Sequence, residues 1–546
     1  MSSRGVDRRA FLRLAGTAGG AWLTRVDLPP EGGSHKYPIP ESWLPPSGGG
    51  SNQAPAIVTA PGARPATPFG VAAGDAGRGQ ALIWSRTDRP ARMFVEYATT
   101  DRFTSDVRRV RGPAALESSD FTARTVLEGV PPGQRIFYRV LFQDLSDLTT
   151  WSEPAIGSFA TPSSAPRDIT LAWSADTVGQ GWGRNPEWGG LRLYETMLHA
   201  EPDVFINLGD TIYADQPVVP EVTLDDGTIW RNVVTEAKSK VAQTLDEYRG
   251  CYQYNLMDEH MRRFLARTSQ VVMWDDHEVL DNWYWERRKD GDARYSVKSV
   301  ALLAARARQA FFEYNPVPLD GGDPERIYRY VPLGPLVDVF ALDMRSYRGA
   351  NSDNRQPTLD ERAALMGAAE IRWLKRALTE SRAAWKVVAA DLPIGLVVGD
   401  GPGRYEAVAN GDPGAPLGRE LEIADLLRHL KQQRVKNVVW ITADVHYCAA
   451  HRYDPAKAKF TEFDPFWEFV AGPLNAGTFG PGQLDPTFGP EVKFVGIPPG
   501  MKGNRPPSDG FQFFGTMRAD ARHRTLTVKL HDLTGRALYT AELPPE

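Results

Sequence analysis

Asp176, Asp210, Asp276 and Asp444, with Tyr213, His277 and His446, are donor types suited to a multi-metal hydrolytic site, and they sit behind short apolar runs. Ile169-Thr-Leu-Ala-Trp173 leads into Ser174-Ala-Asp176. Val204-Phe-Ile-Asn-Leu208 leads into Gly209-Asp210-Thr-Ile-Tyr213 and on to Asp215. Gln270-Val-Val-Met-Trp274 leads into Asp275-Asp276-His277-Glu278, with Asn282 beyond, and Asn437-Val-Val-Trp-Ile-Thr442 leads into Ala443-Asp444-Val-His446. One Asp after a strand is an ordinary turn residue. Several strands ending this way would gather carboxylates and imidazoles at the carboxyl ends of strands, where open α/β sheets hold ligands.

So many anions in one place are unfavourable without cations. Carboxylates favour hard ions such as Ca²⁺, Mg²⁺ or Mn²⁺, whereas His and Tyr admit Fe or Zn. Two ions about 3.5–4 Å apart, bridged by one Asp, suit hydrolysis of phosphate esters: they acidify a water and clamp the oxygens of an in-line displacement. Asp210, at the central Gly-Asp turn, is the candidate bridge. Asp176, Asp276, Asp444 and His446 are the further candidate ligands. His277, next to Asp276, is placed to protonate a leaving alkoxide. Asn282 and Arg345 are candidate substrate contacts, although Arg345 could equally pair with an acid such as Asp343. Arg348 reads as structural, and Asp215 as a support for its turn.

The elements that must position these groups follow from periodicity. Between about 168 and 546, apolar runs at 169–173, 204–208, 270–274, 337–342, 385–390, 437–442, 466–471, 511–515 and 525–530 alternate with helical patterns near 189–200, 234–266, 296–314, 359–383 and 419–434. That alternation predicts an α/β layered domain. Residues 66–163 read differently. Gln80–Ser85, Arg92–Tyr97, Thr122–Leu127 and Arg135–Phe142 alternate at period two, with turn signals such as Pro131-Pro-Gly133, which predicts a small all-β sandwich. Residues 26–65 are rich in Pro, Gly and Ser and read as a flexible linker. The Gly- and Pro-rich stretch 401–419 is a candidate lid. Gly181–Trp188 and Trp283-Tyr-Trp285 are candidates for the rim of the site.

Taken in order, Gly209-Asp210, Asp275-Asp276-His277-Glu278 and Ala443-Asp444-Val-His446 resemble the motif series of the calcineurin-like metallophosphoesterases. Phe69-Gly-Val-Ala-Ala-Gly-Asp75, Gly209-Asp-Thr-Ile-Tyr-Ala-Asp215, Trp274-Asp-Asp-His-Glu-Val279, Leu342-Asp-Met-Arg-Ser-Tyr-Arg348 and Ala443-Asp-Val-His-Tyr447 are similar to its alkaline phosphatase D (PhoD-like) branch. The resemblance implies a four-layer αββα core after the β-sandwich and hydrolysis of phosphomonoesters or phosphodiesters. It also implies Tyr213 as a ligand three residues after the bridging Asp, and Fe³⁺ with Ca²⁺ as cofactors. In the best-known branch a Cys follows the first strand and binds iron. Here Ala175-Asp176-Thr177 has none, which would shift preference toward Mn²⁺, Mg²⁺ or Zn²⁺.

Composition narrows the setting. A net charge of −5 without a long basic run gives no nucleic-acid-binding surface. Two distant cysteines, Cys251 and Cys448, support no disulfide framework. In residues 1–25, Asp7-Arg-Arg-Ala-Phe-Leu-Arg13 and the weakly apolar run Leu14–Leu23 resemble a twin-arginine export signal. The run is too short to span a membrane. The expected partners are therefore a small phosphate ester and the twin-arginine machinery, and the expected location is the periplasm or cell surface. Two other functions fit the same fold: a phospholipase D-like phosphodiesterase and a non-catalytic binding protein.

Overall fold

The computed structural model describes residues 61–546. The paired arginines Arg8 and Arg9, the apolar run after them and most of the 26–65 linker lie outside those residues. The described residues form one compact unit.

Seven strands come first: β1 (Val71–Gly77), β2 (Gln80–Arg86), β3 (Ala91–Ala98), β4 (Arg108–Ala115), β5 (Thr122–Glu128), β6 (Arg135–Asp144) and β7 (Ala155–Ala160). The next are β8 (Ile169–Ser174), β9 (Val204–Asn207), the small ribbon β10 (Glu221–Thr223) and β11 (Ile229–Arg231), and β12 (Ser269–Val272). After these follow β13 (Arg329–Pro332), β14 (Val337–Ala341), β15 (Trp385–Ala389), β16 (Val438–Thr442), β17 (Ala449–Tyr453), β18 (Phe466–Val470) and β19 (Pro490–Val495). The chain closes with β20 (Phe513–Ala519), β21 (Leu526–Asp532) and β22 (Ala537–Leu543). Six helices intervene: α1 (Arg192–His199), α2 (Leu245–Leu256), α3 (Glu259–Leu265), α4 (Val300–Tyr314), α5 (Gly367–Glu380) and α6 (Glu420–Gln432).

Two large sheets form the centre. One has the order β22-β21-β20-β8-β9-β12-β1-β2-β5, the other β13-β14-β15-β16-β18-β17-β19. The middle strands β8, β9 and β12 run parallel, as do β14, β15, β16 and β18. Parallel strands are covered on both faces, which explains their continuous apolar runs. Side chains alternate accordingly. Leu171, Trp173, Val204, Ile206 and Val271 join a core that includes Val339, Val387 and Ile441 of the second sheet and Leu374 and Leu427 of α5 and α6. Ala172, Phe205 and Val272 face the other way, against Met197 of α1, Phe264 of α3 and Phe311 of α4. The result is helices, sheet, sheet, helices, the expected four-layer order.

The helical pattern at 234–266 resolves into α2 and α3 with a break at Met257-Asp258. Asp258 caps α3, its carboxylate accepting from His260 N and Met261 N. Thr244 and Glu247 form a capping box at the start of α2.

The β-rich segment 66–163 packs as two layers. The four-stranded sheet β4-β3-β6-β7 faces β1, β2 and β5, with Val71, Ala73, Ile83, Met93, Val95, Tyr138 and Val140 between them. One of those layers is not separate. β1 pairs in parallel with β12, Ala73 opposite Ser269, so β1, β2 and β5 extend the sheet that carries β8, β9 and β12. Sequence periodicity reads the strands but not this edge-to-edge fusion.

Candidate metal centre

Each ligand candidate follows directly on a central strand. Asp176 comes after β8, Asp210 after β9, Asp275 to Glu278 after β12, and Asp444 to His446 after β16 in the other sheet. Four of these residues adopt left-handed backbone angles: φ is 65° at Asp176, 48° at Asp210, 63° at Asp444 and 60° at His446. Asp and His tolerate that region better than most residues. Left-handed geometry turns the chain sharply off the strand and aims these side chains into one space. Val178 also has φ 69°, a strained state for a β-branched residue, of the kind that clusters at functional sites.

The turns are tied together by Glu278. Its buried carboxylate accepts from Asp210 N at 3.0 Å, Thr211 N at 2.7 Å and Asp275 N at 2.8 Å. Asp210 in turn accepts from His277 N at 3.0 Å through Oδ1 and from Thr177 N at 2.8 Å through its carbonyl. The loops after β8, β9 and β12 are thus fixed relative to one another. Gly209 (φ 114°) has no room for a side chain, because a Cβ there would lie 2.5 Å from Asp275 Cβ.

Among the described residues three groups of donors lie close enough to hold ions: Asp176, Asp210 and His446; Asp210, Asp276 and His277; and Asp275, Asp276 and Asp444. Within each, one ligand atom per residue falls within 4.8 Å of the others. Asp210 belongs to the first two groups and Asp276 to the last two. Both carboxylate oxygens of Asp176, Oδ1 of Asp276 and Oδ2 of Asp275 are buried without a hydrogen-bond partner among the described residues. Such orphaned anions are costly, and cations would satisfy them, so the donor set fits metal ions. Burial, with the charge of Asp276 adding to it, drives the Asp176 and Asp210 carboxyls well above the usual carboxylate range. Burial does the same to Asp444, with Glu406 next in weight. At Asp276 burial is outweighed by His277 and Arg345, which hold it below that range.

The two histidines are held differently. His446 Nδ1 donates to Gly477 O at 2.6 Å, which leaves Nε2 facing Tyr213 Oη at 2.8 Å and Asp176 Oδ1 at 3.7 Å. Burial lowers its pKa to about 4, so it is a neutral donor of the ligand type. His277 Nδ1 donates to Asp215 Oδ1 at 2.7 Å, and its Nε2 lies 3.8 Å from Asp276 Oδ1. Burial opposes its charge, but Asp276, Asp215 and Asp210 raise its pKa well above the ordinary value. The ring stacks on Tyr213 with centroids 4.2 Å apart.

Asp215 therefore has a larger part than its turn suggested. It orients the imidazole and also accepts from Asp281 N at 3.0 Å. Local sequence reading does not flag the pair, because the two residues lie 62 positions apart.

Arg345 requires a correction. It is fully buried, and its guanidinium reaches Asp275 (2.6 Å), Asp391 (2.9 Å), Glu406 (2.7 Å) and Asp444 (3.2 Å). Those carboxylates occupy its donors, so it serves as a buried counter-ion, and the expectation of a substrate contact falls away. Arg348 is buried and structural, donating to Asn351 Oδ1 at 2.9 Å and to Glu406 O. Asn282 (φ 55°) does lie at the site: its backbone N donates to Asp276 Oδ2 at 2.5 Å, and its amide nitrogen, correctly oriented, reaches Glu406. Glu406 and Asp391 were missed by sequence reasoning. Asp391 does follow the apolar run of β15, the signal used for the others. Glu406 lies in the 401–419 stretch, which contributes a buried acid to the site's support. Trp182 on the first rim loop is largely buried and donates from Nε1 to Asn504 Oδ1 at 2.8 Å, and Trp283 is fully buried against Trp274. Cys251 and Cys448 are both buried free thiols.

The chain is similar to known proteins along most of its length. The family model for the PhoD-like phosphatase matches residues 171–530, and that for the PhoD-like phosphatase N-terminal domain matches 52–163. Alkaline phosphatase D of Bacillus subtilis (strain 168) is 26% identical over 399 residues, which is 69% of this chain and 64% of that protein, just short of two thirds of its length. A solved structure of PhoD matches with a TM-score of 0.64 at 20% identity, over 90% of this chain and 94% of that one. The purple acid phosphatase PPD1 from yellow lupin (Lupinus luteus) seeds matches with a TM-score of 0.51 at 11% identity, over 88% and 74%. At those identities the two structures speak for the fold alone.

Proposed function

The chain belongs to the PhoD-like phosphatase family, and from that premise we propose that it hydrolyses phosphate esters, monoesters or diesters, at a metal pair bridged by Asp210. The observation that carries this reading is the place of Asp210 in two candidate ion-holding groups at once, beside the partnerless oxygens of Asp176 and Asp276. Asp176, Asp210, Tyr213 and His446 would hold one ion, and Asp210 and Asp276 a second. Asp444, grouped with Asp275 and Asp276 and 3.2 Å from Arg345, would be a further ligand beside Asp276. Bound ions of this kind supply Lewis acidity and an acidified water.

The side chains supply the rest. His277, protonated and oriented by Asp215, donates its Nε2 proton to the leaving alkoxide. Arg345 offsets the charge of Asp275, Asp391, Glu406 and Asp444 without touching substrate. Asn282 remains the substrate-contact candidate. The family resemblance implies Fe³⁺ with Ca²⁺. With the oxygens of Asp176 in place of a thiolate, the donor set suits Mn²⁺, Mg²⁺ or Zn²⁺ as well.

The test is elemental analysis of the purified protein together with hydrolysis of a nitrophenyl monoester and a nitrophenyl diester. Bound metal and turnover are expected. No metal and no turnover with any added ion would sink the reading. Export by the twin-arginine route is part of the proposal and rests on Arg8 and Arg9 alone. Changing both to Lys should trap the protein in the cytoplasmic fraction, and normal export of that variant would refute it. Among the described residues no helix is long and apolar enough to cross a membrane.

A further inference from the structure

Lys238 is a buried cation that the proposed chemistry does not use. It is 3% exposed and ends a short 3₁₀ turn, Glu236–Lys238. Its Nζ donates to Tyr213 O at 2.7 Å and to Gln216 O at 2.8 Å. Among the described residues no carboxylate lies within ion-pair distance of it. Burying an ammonium without an ion pair is unfavourable, so a position that keeps one invites a reason.

The two carbonyls bracket Ala214 and Asp215. On one side of the bracket, Tyr213 points its hydroxyl at His446 Nε2 and stacks its ring on His277. Within it, Asp215 grips His277 Nδ1. Ala214 N also donates to His277 O at 2.9 Å, and Gln216 Oε1 accepts from Gln180 N at 2.6 Å. The segment 213–216 therefore touches both histidines and the first rim loop, yet it belongs to no helix or strand. Its middle is pinned by backbone bonds, since Ala214 also accepts from Ala242 N at 2.8 Å, but its two end carbonyls are not part of any ladder. Lys238 is the group that fixes its two ends, and it is itself anchored because its own carbonyl accepts from Val218 N at 2.8 Å.

We propose that Lys238 is a positioning residue: its ammonium clamps the 213–216 loop and thereby sets the orientation of the Asp215–His277 pair against the leaving group. The proposal rests on the phosphatase reading above. Without the ammonium Gln216 O loses its donor and Tyr213 O keeps only the long 3.5 Å bond from Gln216 N, so the ends of the loop can rotate to find others. A misaligned His277 would matter most where the leaving group needs a proton and least where it does not.

The experiment compares Lys238→Met and Lys238→Gln with the unaltered protein on an alkyl phosphate and on a nitrophenyl phosphate. Hydrogen–deuterium exchange over 213–216 is followed alongside. For Lys238→Met, kcat on the alkyl ester should fall about 10–100-fold, the range of a lost orienting partner, while the nitrophenyl ester loses far less and KM moves little. Exchange over 213–216 should accelerate. Lys238→Gln keeps an uncharged N–H donor group on a shorter side chain and should fall between; it carries the test alone if the Met variant does not fold. Equal losses on the two esters, or unchanged exchange over 213–216, overturn the proposal. Failure of the phosphatase reading looks different, because the unaltered protein would then turn over neither ester.

Discussion

His277 Nδ1 donates to Asp215 Oδ1 at 2.7 Å, both groups being buried. The contact fixes which ring nitrogen carries the fixed proton and leaves Nε2 facing Asp276. Although burial pushes the other way, His277 holds the Asp215 carboxyl below its ordinary range, so it acts as an anionic acceptor. Asp215→Asn should lower kcat on an alkyl phosphate about 10–100-fold and leave metal content unchanged. Loss of metal in that variant would place Asp215 among the ligands instead.

Asp210 is shared by the two ion-holding groups that contain the histidines. Asp210→Asn should therefore cost metal and activity together, both by about two orders of magnitude or more, the scale of a lost central electrostatic group. Near-normal turnover in this variant would show the site to be wrongly assigned.

Gly472 follows β18 and packs against Asp176. A Cβ at this position would lie 2.2 Å from Asp176 Oδ2. Gly472→Ala must therefore push the carboxylate aside or move the backbone, a strain of about 1–3 kcal/mol. Weakened metal binding, read by titration, is the expected outcome. Unaltered metal affinity would mean that Asp176 is not a ligand.

The metal-free protein should be sensitive to alkaline conditions. Burial raises the folded-state pKa of Asp176, Asp210 and Asp444 above the unfolded values. Between those values the folded chain binds more protons than the unfolded one, so stability falls as pH rises through the interval. After chelation the melting temperature should fall as pH rises above the ordinary carboxylate range, and re-added metal should abolish most of the drop. A flat profile in the chelated protein would contradict this.

Arg345→Met tests the counter-ion role. Removing the cation leaves Asp275, Asp391, Glu406 and Asp444 facing one another in a fully buried space. A loss of about 3–5 kcal/mol in unfolding free energy is expected. If the variant keeps its stability and shows only a raised KM, Arg345 contacts substrate after all.

The strand ends were legible because their signal is local. A continuous apolar run followed at once by Asp or His needs no partner to be recognised, and Asp176, Asp210, Asp276, Asp444 and His446 were all found this way. Asp391 carries the same local signal, since it follows β15 in the same manner. Glu406 and Lys238 had no such mark. Glu406 sits in a Gly- and Pro-rich stretch that reads as a loop, and Lys238 precedes α2 in a run that reads as helix surface.

By itself the sequence determined the layered α/β class, the order of the strands along the chain and the donor types at their ends, because periodicity and turn chemistry are properties of neighbouring residues. Tertiary structure alone decided which donors meet. The left-handed turns at Asp176, Asp210, Asp444 and His446, the fusion of β1 to β12, the grip of Asp215 on His277 and the four carboxylates around Arg345 join residues distant in the chain. Those contacts depend on sheet order and on burial, which raises the energy of any charge left unpaired. Only the folded chain sets either one.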